Sequence, residues 1–254
     1  MNAGRRRACT AGVAAAAGAL PGCALLARPS PLPLELIYDD RNSRRTQAPV
    51  LLVLLPGAHM APAEMQREGM VGAVRSAGLD ADVLIAGVGL EHVYDKSALR
   101  RLESEVFGPF SALGYRRFWL AGISLGGFLA MGYAQQHPGR VEGITAIAPY
   151  LGRQPVLQAI AQAGSPRAWA RSTAPRNDDI DDRIWRWLAE PPVGAPALHL
   201  AYGESDRFAP AHRLLAGLLP APQVQVAPGG HDWPPWRTLW ARWLAAAPLP
   251  RSAT

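Results

Sequence analysis

The chain has 254 residues, about half of them apolar, with 26 basic and 20 acidic side chains and two cysteines. That length supports one domain with a sizeable core, and the composition excludes a disordered protein. No apolar run reaches the roughly 18 residues a membrane span needs, and the arginines behind the formal charge of +6 are scattered rather than set in a basic stripe with interleaved aromatics, which argues against nucleic acid as a partner.

The N-terminus reads as an export signal over residues 1–22. Arg5, Arg6 and Arg7 form a basic n-region, and Thr10 to Leu20 form a short alanine-rich apolar stretch. "LPGC" comes next and ends at Cys23. It resembles the lipobox of bacterial lipoprotein precursors, which implies lipid on Cys23 and a protein exported to the periplasm or anchored on a membrane of a bacterial cell envelope. Pro21 departs from that pattern, where a small residue is usual. Cys9 falls inside the signal, so the exported body carries no disulfide. Residues 23–33 read as a tether, because Pro29, Pro31 and Pro33 forbid regular helix.

The domain occupies 34–254. "LELIYDD" (34–40) predicts an edge strand. "PVLLVLLPG" (49–57) is a continuous apolar run, the pattern of a strand buried on both faces of a parallel sheet. Similar runs recur at 81–87, 117–122, 143–149, 196–203 and 223–229. Helical patterns fall between them at 63–77, 97–113, 125–136, 208–219 and 235–246. In the second, Leu99, Leu102, Val106, Phe110 and Leu113 form the apolar stripe. Strand–helix alternation predicts a doubly wound, mostly parallel α/β sheet with ligands at the carboxyl ends of its strands. Residues 151–194 interrupt the alternation and predict a small helical cap.

"GISLG" (122–126) matches G-x-S-x-G, and its surroundings read as strand before and helix after, the context of a nucleophile elbow. Ser124 is the candidate nucleophile; the bland alternative is a serine that only caps the helix. A serine hydroxyl needs a base. Of His59, His92, His137, His199, His212 and His231, only His231 lies in a glycine-rich loop after the last strand, in "APGGHDW". His199 reads as a strand histidine, His137 as part of a helix stop and His212 as a helix-surface residue. Asp206, in "GESDRFAP" beyond the strand 196–203, is the candidate to orient the base, with Glu204 and Asp232 as competitors.

The order serine, acid, histidine and the segments "GISLGG", "GESDRFAP" and "GGHDW" resemble the α/β-hydrolase superfamily over nearly all of 34–247. The resemblance implies Ser124 as nucleophile, Asp206 as acid and His231 as base. It also implies an oxyanion hole from the Leu125 amide and one in the loop "LLPGAHM"; Ala58 is the candidate there and His59 the second choice. The lipase-type "HGGG" is missing. No cofactor or metal is expected, since the acidic run "NDDIDDR" (177–183) lacks the glycine and glutamate of a calcium loop and reads as an acidic first helical turn. "EHVYD" (91–95) is a candidate pocket segment. Trp233, Trp236, Trp240 and Trp243 read as a helix face packed on the sheet rather than a membrane patch. The expected activity is cleavage of small-molecule carboxylic esters by a serine hydrolase. An acyltransferase on the same three residues, or an envelope-anchored binding protein without catalysis, are the alternatives.

Overall fold

A computed structural model describes residues 32–40 and 47–252. The expected signal, Cys23 and most of the tether lie outside the described residues. Seven strands form one sheet: β1 (Leu36–Asp39), β2 (Val50–Leu55), β3 (Ala81–Ala86), β4 (Phe118–Ile123), β5 (Gly143–Ile147), β6 (Ala197–Gly203) and β7 (Val224–Ala227). Their order is β1-β3-β2-β4-β5-β6-β7, with β1 antiparallel to β3 and all other pairs parallel.

Each strand expectation is met, and the reason shows in β2. Leu51, Val53 and Leu55 face one core layer, while Val50, Leu52 and Leu54 face the other. All six are fully buried, so the strand has no polar face to show.

Helices cover both faces. One layer holds α1 (Pro62–Arg67), α2 (Met70–Ser76) and a C-terminal helix. The other begins with α3 (Leu90–Tyr94), α4 (Ala98–Arg101), a π-helical turn (Leu102–Phe107) and α5 (Gly108–Ala112). It continues with α6 (Leu125–Gln136), α7 (Gln154–Gln162), α8 (Pro166–Ser172), α9 (Ile180–Ala189) and α10 (Ala209–Ala216). The C-terminal helix of the first layer is α11 (Trp233–Ala246).

Two helix expectations need correction. The single helix over 63–77 is two, because Gly69 takes a left-handed φ of 81° and ends the first. The helix over 97–113 contains the π turn, where the Gly108 N–H donates to the Glu103 carbonyl. Pro109 comes directly after it; it cannot donate and its ring would crowd a regular turn, so the widened turn accommodates it. The inserted residue also rotates the remainder of the helix: Phe107 is buried, and Leu113 is 62% exposed instead of completing the apolar stripe.

Residues 151–194 fold as α7–α9 between β5 and β6. The Trp185 Nε1–H donates to the Leu151 carbonyl at 2.8 Å. The acidic run is absorbed by structure: Asp179 caps α9, Asp181 pairs with Arg153 and Asp182 with Arg186. On α11, Trp236, Trp240 and Trp243 are buried against the sheet layer, and the Trp240 Nε1–H donates to the Met70 carbonyl. Among the described residues no helix is long and apolar enough to cross a membrane.

Candidate active site

The site is built at the carboxyl end of β4, the central strand. Ser124 joins β4 to α6 with φ 52° and ψ −113°, a conformation that costs a non-glycine residue roughly 1–3 kcal/mol. Its neighbours enforce it. The Ser124 N–H donates to the Ile147 carbonyl at 2.9 Å, and the Tyr150 N–H donates to the Ser124 carbonyl at 3.0 Å. The flanking glycines are required by close approach. A Cβ on Gly126 would lie 2.1 Å from the Leu55 carbonyl oxygen, and one on Gly122 would lie 2.2 Å from the Gly126 carbonyl carbon. Any side chain at either position would push the helix off the sheet.

Ser124 starts α6, yet its hydroxyl makes no capping hydrogen bond. The capping alternative is therefore set aside. The hydroxyl instead faces His231, whose Nε2 lies 3.1 Å from Ser124 Oγ. His231 Nδ1 lies 2.8 Å from Asp206 Oδ2. The second carboxylate oxygen of Asp206 accepts the Phe208 backbone N–H at 2.7 Å. Asp206 is buried, whereas the competitors Glu204 and Asp232 are not, and neither bonds to His231. Burial alone would raise the Asp206 carboxyl, but the His231 and Phe208 N–H groups outweigh it and hold it below the usual carboxylate range. With Asp206 ionised, Nδ1 carries the imidazole proton and Nε2 is left as the acceptor toward Ser124.

The loop after β2 runs beside the serine: a Cβ on Gly57 would lie 3.7 Å from Ser124 Cβ. Next to it, the Ala58 backbone N–H has no partner among the described residues, and neither has that of Leu125 at the start of α6. Two donors are thus open on one side of Ser124. His59 is exposed. A cavity of about 350 Å³ adjoins this loop and is lined by Ala58, Met60, Glu91 and His92, which places part of the "EHVYD" segment there. Among the described residues no group of three or more histidine, cysteine, aspartate or glutamate side chains could hold a metal ion.

Aromatic rings frame the line of three side chains. Phe208 and Trp236 each meet the His231 ring edge-on at 5.0 Å between centroids, and Tyr150 meets Phe208 in the same manner. They fix the imidazole plane and keep bulk water from most of its surface; the His231 side chain is only 10% exposed.

The expectation that His212 sits on a helix surface is wrong. It is fully buried on α10. Its Nε2–H donates to the Pro149 carbonyl at 2.8 Å, and its Nδ1 has no partner among the described residues. Pro149 precedes Tyr150, which holds the Ser124 carbonyl, so His212 ties the helix after Asp206 to the loop that braces the elbow. The signal was present in the spacing, since His212 shares the inward stripe with Ala209, Ala211 and Leu215.

Burial pushes His212 down to about 4, against weaker upward pulls from the Pro149 carbonyl and Asp206. Between that value and the ordinary one of about 6.5, the unfolded chain holds a proton that the folded chain refuses, so stability falls on acidification through this window by about 3 kcal/mol. His199, also lowered by burial, adds to the same slope. Urea unfolding near pH 7 and near pH 4.5 checks this. His212→Gln, which offers an N–H to Pro149 but does not titrate, is expected to lose His212's share of the slope. An unchanged slope would contradict the assignment.

Residues 105–234, just over half the chain, match the family described as alpha/beta hydrolase fold. The chain belongs to the α/β-hydrolase fold family. Solved members of similar architecture include an S-formylglutathione hydrolase from Staphylococcus aureus, at 17% identity and a TM-score of 0.62, covering 84% of this chain and 92% of that one. The fluorophosphonate-binding serine hydrolase F of Staphylococcus aureus gives 17% identity and 0.60, covering 84% and 98%. A monoacylglycerol lipase from Paleococcus ferrophilus gives 17% and 0.55, covering 85% and 99%. No curated protein matches the chain in sequence. At these identities the α/β-hydrolase fold is what is shared.

Proposed function

We propose that the protein is a serine hydrolase that cleaves small-molecule carboxylic esters through an acyl-enzyme. One observation carries the reading: a strained elbow serine sits in hydrogen-bond reach of a histidine that is itself bonded to a buried carboxylate. Ser124 Oγ attacks the ester carbonyl carbon and its proton passes to His231 Nε2. The carbonyl oxygen takes the negative charge and is met by the Ala58 and Leu125 amides. The C–O bond to the alcohol then breaks, and His231 returns the proton to the leaving oxygen. Water, deprotonated by His231, attacks the acyl-serine and releases the acid, restoring Ser124. Asp206 stays ionised throughout and stabilises the imidazolium. Similarity in fold to esterases and serine hydrolases supports the class of reaction.

The test is rapid mixing of the full chain with p-nitrophenyl butyrate. The reading expects a burst of nitrophenolate proportional to enzyme, then slower turnover. Release no faster than in buffer would count against it.

We also propose that the protein is exported and tethered to an envelope membrane through lipid on Cys23. The basic n-region, the short apolar stretch and "LPGC" support this. The protein expressed from its full gene in a bacterial host is expected to partition into detergent, and Cys23→Ala to move it into the aqueous phase. Identical partitioning of the two would refute the tether.

A further inference from the structure

A cleft of about 400 Å³ between α3, α4, α6 and α9 is not used by the chemistry above. Its floor is apolar, built from Leu99, Phe128, Leu129 and Ile180. Its rim is cationic: Lys96, Arg100 and Arg183 stand against one acid, Asp178. None of these three cations has a carboxylate partner among the described residues. Lys96 is the only lysine in the chain, and it adopts a left-handed φ of 59° where α3 turns toward α4.

His92 links the cleft to the site. The His92 side chain is 5% exposed, and its Nδ1 accepts the Gly89 N–H at 3.1 Å. Glu91 also approaches that nitrogen, at 3.3 Å. His92 borders both the cleft and the cavity beside Ala58. His92 thus stands at the junction of two spaces, one of them next to the candidate oxyanion amide.

Topology assigns the occupant. The loops after β2 and β3 lie on one flank of β4, and the His231 loop reaches the site from β7 on the other. His231 must hand its proton to the leaving alcohol, so the alcohol lies on the His231 flank and the acyl group on the other. Phe128 lies one helical turn beyond Ser124 and forms part of the cleft floor.

Resting on the serine-hydrolase reading, we infer that this cleft takes the acyl half of the ester and that the acyl chain is apolar with an anionic terminus, as in a half-ester of a dicarboxylic acid. The apolar floor accepts the methylenes, and Lys96 and Arg100 accept the anion. Hydrolysis of such an ester consumes one water and releases the diacid and the alcohol.

The test compares p-nitrophenyl half-esters from adipic to sebacic acid, each against the same ester with its free acid capped as methyl ester. At the best chain length kcat/KM is expected to favour the anion by about tenfold. That ratio is expected to fall toward one in the double variant Lys96→Gln/Arg100→Gln, and to shrink as salt is raised. Arg242→Gln, on α11, should keep it. Equal kcat/KM for anionic and capped esters at every length, with neutral esters turned over normally, would overturn the inference and leave the hydrolase reading intact. If no ester is turned over, that reading fails, and calorimetric titration of the Ser124→Ala protein with monomethyl suberate and dimethyl suberate decides for the cleft. Saturable binding of the anion alone, weakened in the double variant, would uphold the anion site; no difference between the two would overturn it.

Discussion

Ser124→Ala is expected to lower kcat for p-nitrophenyl butyrate by roughly 10⁶-fold, the scale of losing a nucleophile that works as one unit with its base. The size comes from the local structure. No other hydroxyl among the described residues bonds to His231 Nε2, so the base loses its reaction partner when Oγ is removed. The change should not disturb the fold. Alanine meets the same φ of 52° that serine already tolerates, and the backbone bonds to Ile147 and Tyr150 do not involve the side chain. The urea midpoint of the variant should therefore stay close to that of the parent. A variant that unfolds and loses activity together would say nothing of the hydroxyl, so both quantities are measured on one preparation. A stably folded variant with parental kcat would remove Ser124 from the mechanism.

The second large effect belongs to Asp206→Asn, expected to lower kcat by about 10⁴-fold. The carboxylate accepts two N–H groups at once, from His231 and from Phe208. An amide has one oxygen to offer. If that oxygen turns to Phe208, the NH₂ faces His231 and forces its proton onto Nε2, where it blocks removal of the Ser124 proton. If the oxygen turns to His231, the NH₂ meets the Phe208 N–H and the loop must shift. Both arrangements spoil the base, and the first does so with little change in geometry. KM for a small neutral ester is expected to change much less than kcat, since Asp206 is buried behind the imidazole and touches no substrate. A loss confined to KM would contradict this role.

Acidification separates two groups. Asp206 keeps its charge below the ordinary carboxylate range, so its contribution to stability is complete above about pH 3.9 and is lost only as pH falls through its lowered folded value. The loss of stability expected at higher pH comes from His212, and to a lesser degree from His199.

Much of the fold was legible because the deciding forces are local. A strand buried on both faces must be apolar at every position, and β2 is; a sharp strand-to-helix turn needs glycine where backbones touch, and Gly122 and Gly126 supply it. The serine and histidine of the site were legible for the same reason, each lying in a short segment with its own backbone demands. Choosing Asp206 over Glu204 and Asp232 depended on loop geometry that spacing alone does not give, although the position beyond β6 pointed to it. The misses had different causes. Gly69 divides a helix whose apolar periodicity runs straight through it. The π turn before Pro109 shifts the phase of the stripe midway, so Leu113 leaves the core. His212 was read by residue type, when its place on the inward face of α10 made it a buried clamp on Pro149. The cationic cleft had no sequence signature, because Lys96, Arg100 and Arg183 come from separate helices and loops.

The most direct test of the central claim is covalent. The full chain is treated with a fluorophosphonate, and the product is examined by intact mass and then by peptide mapping. One adduct per chain is expected, on the peptide containing Ser124, with labelling abolished in Ser124→Ala. An adduct on a different residue, or none under conditions that label a control serine hydrolase, would contradict the account.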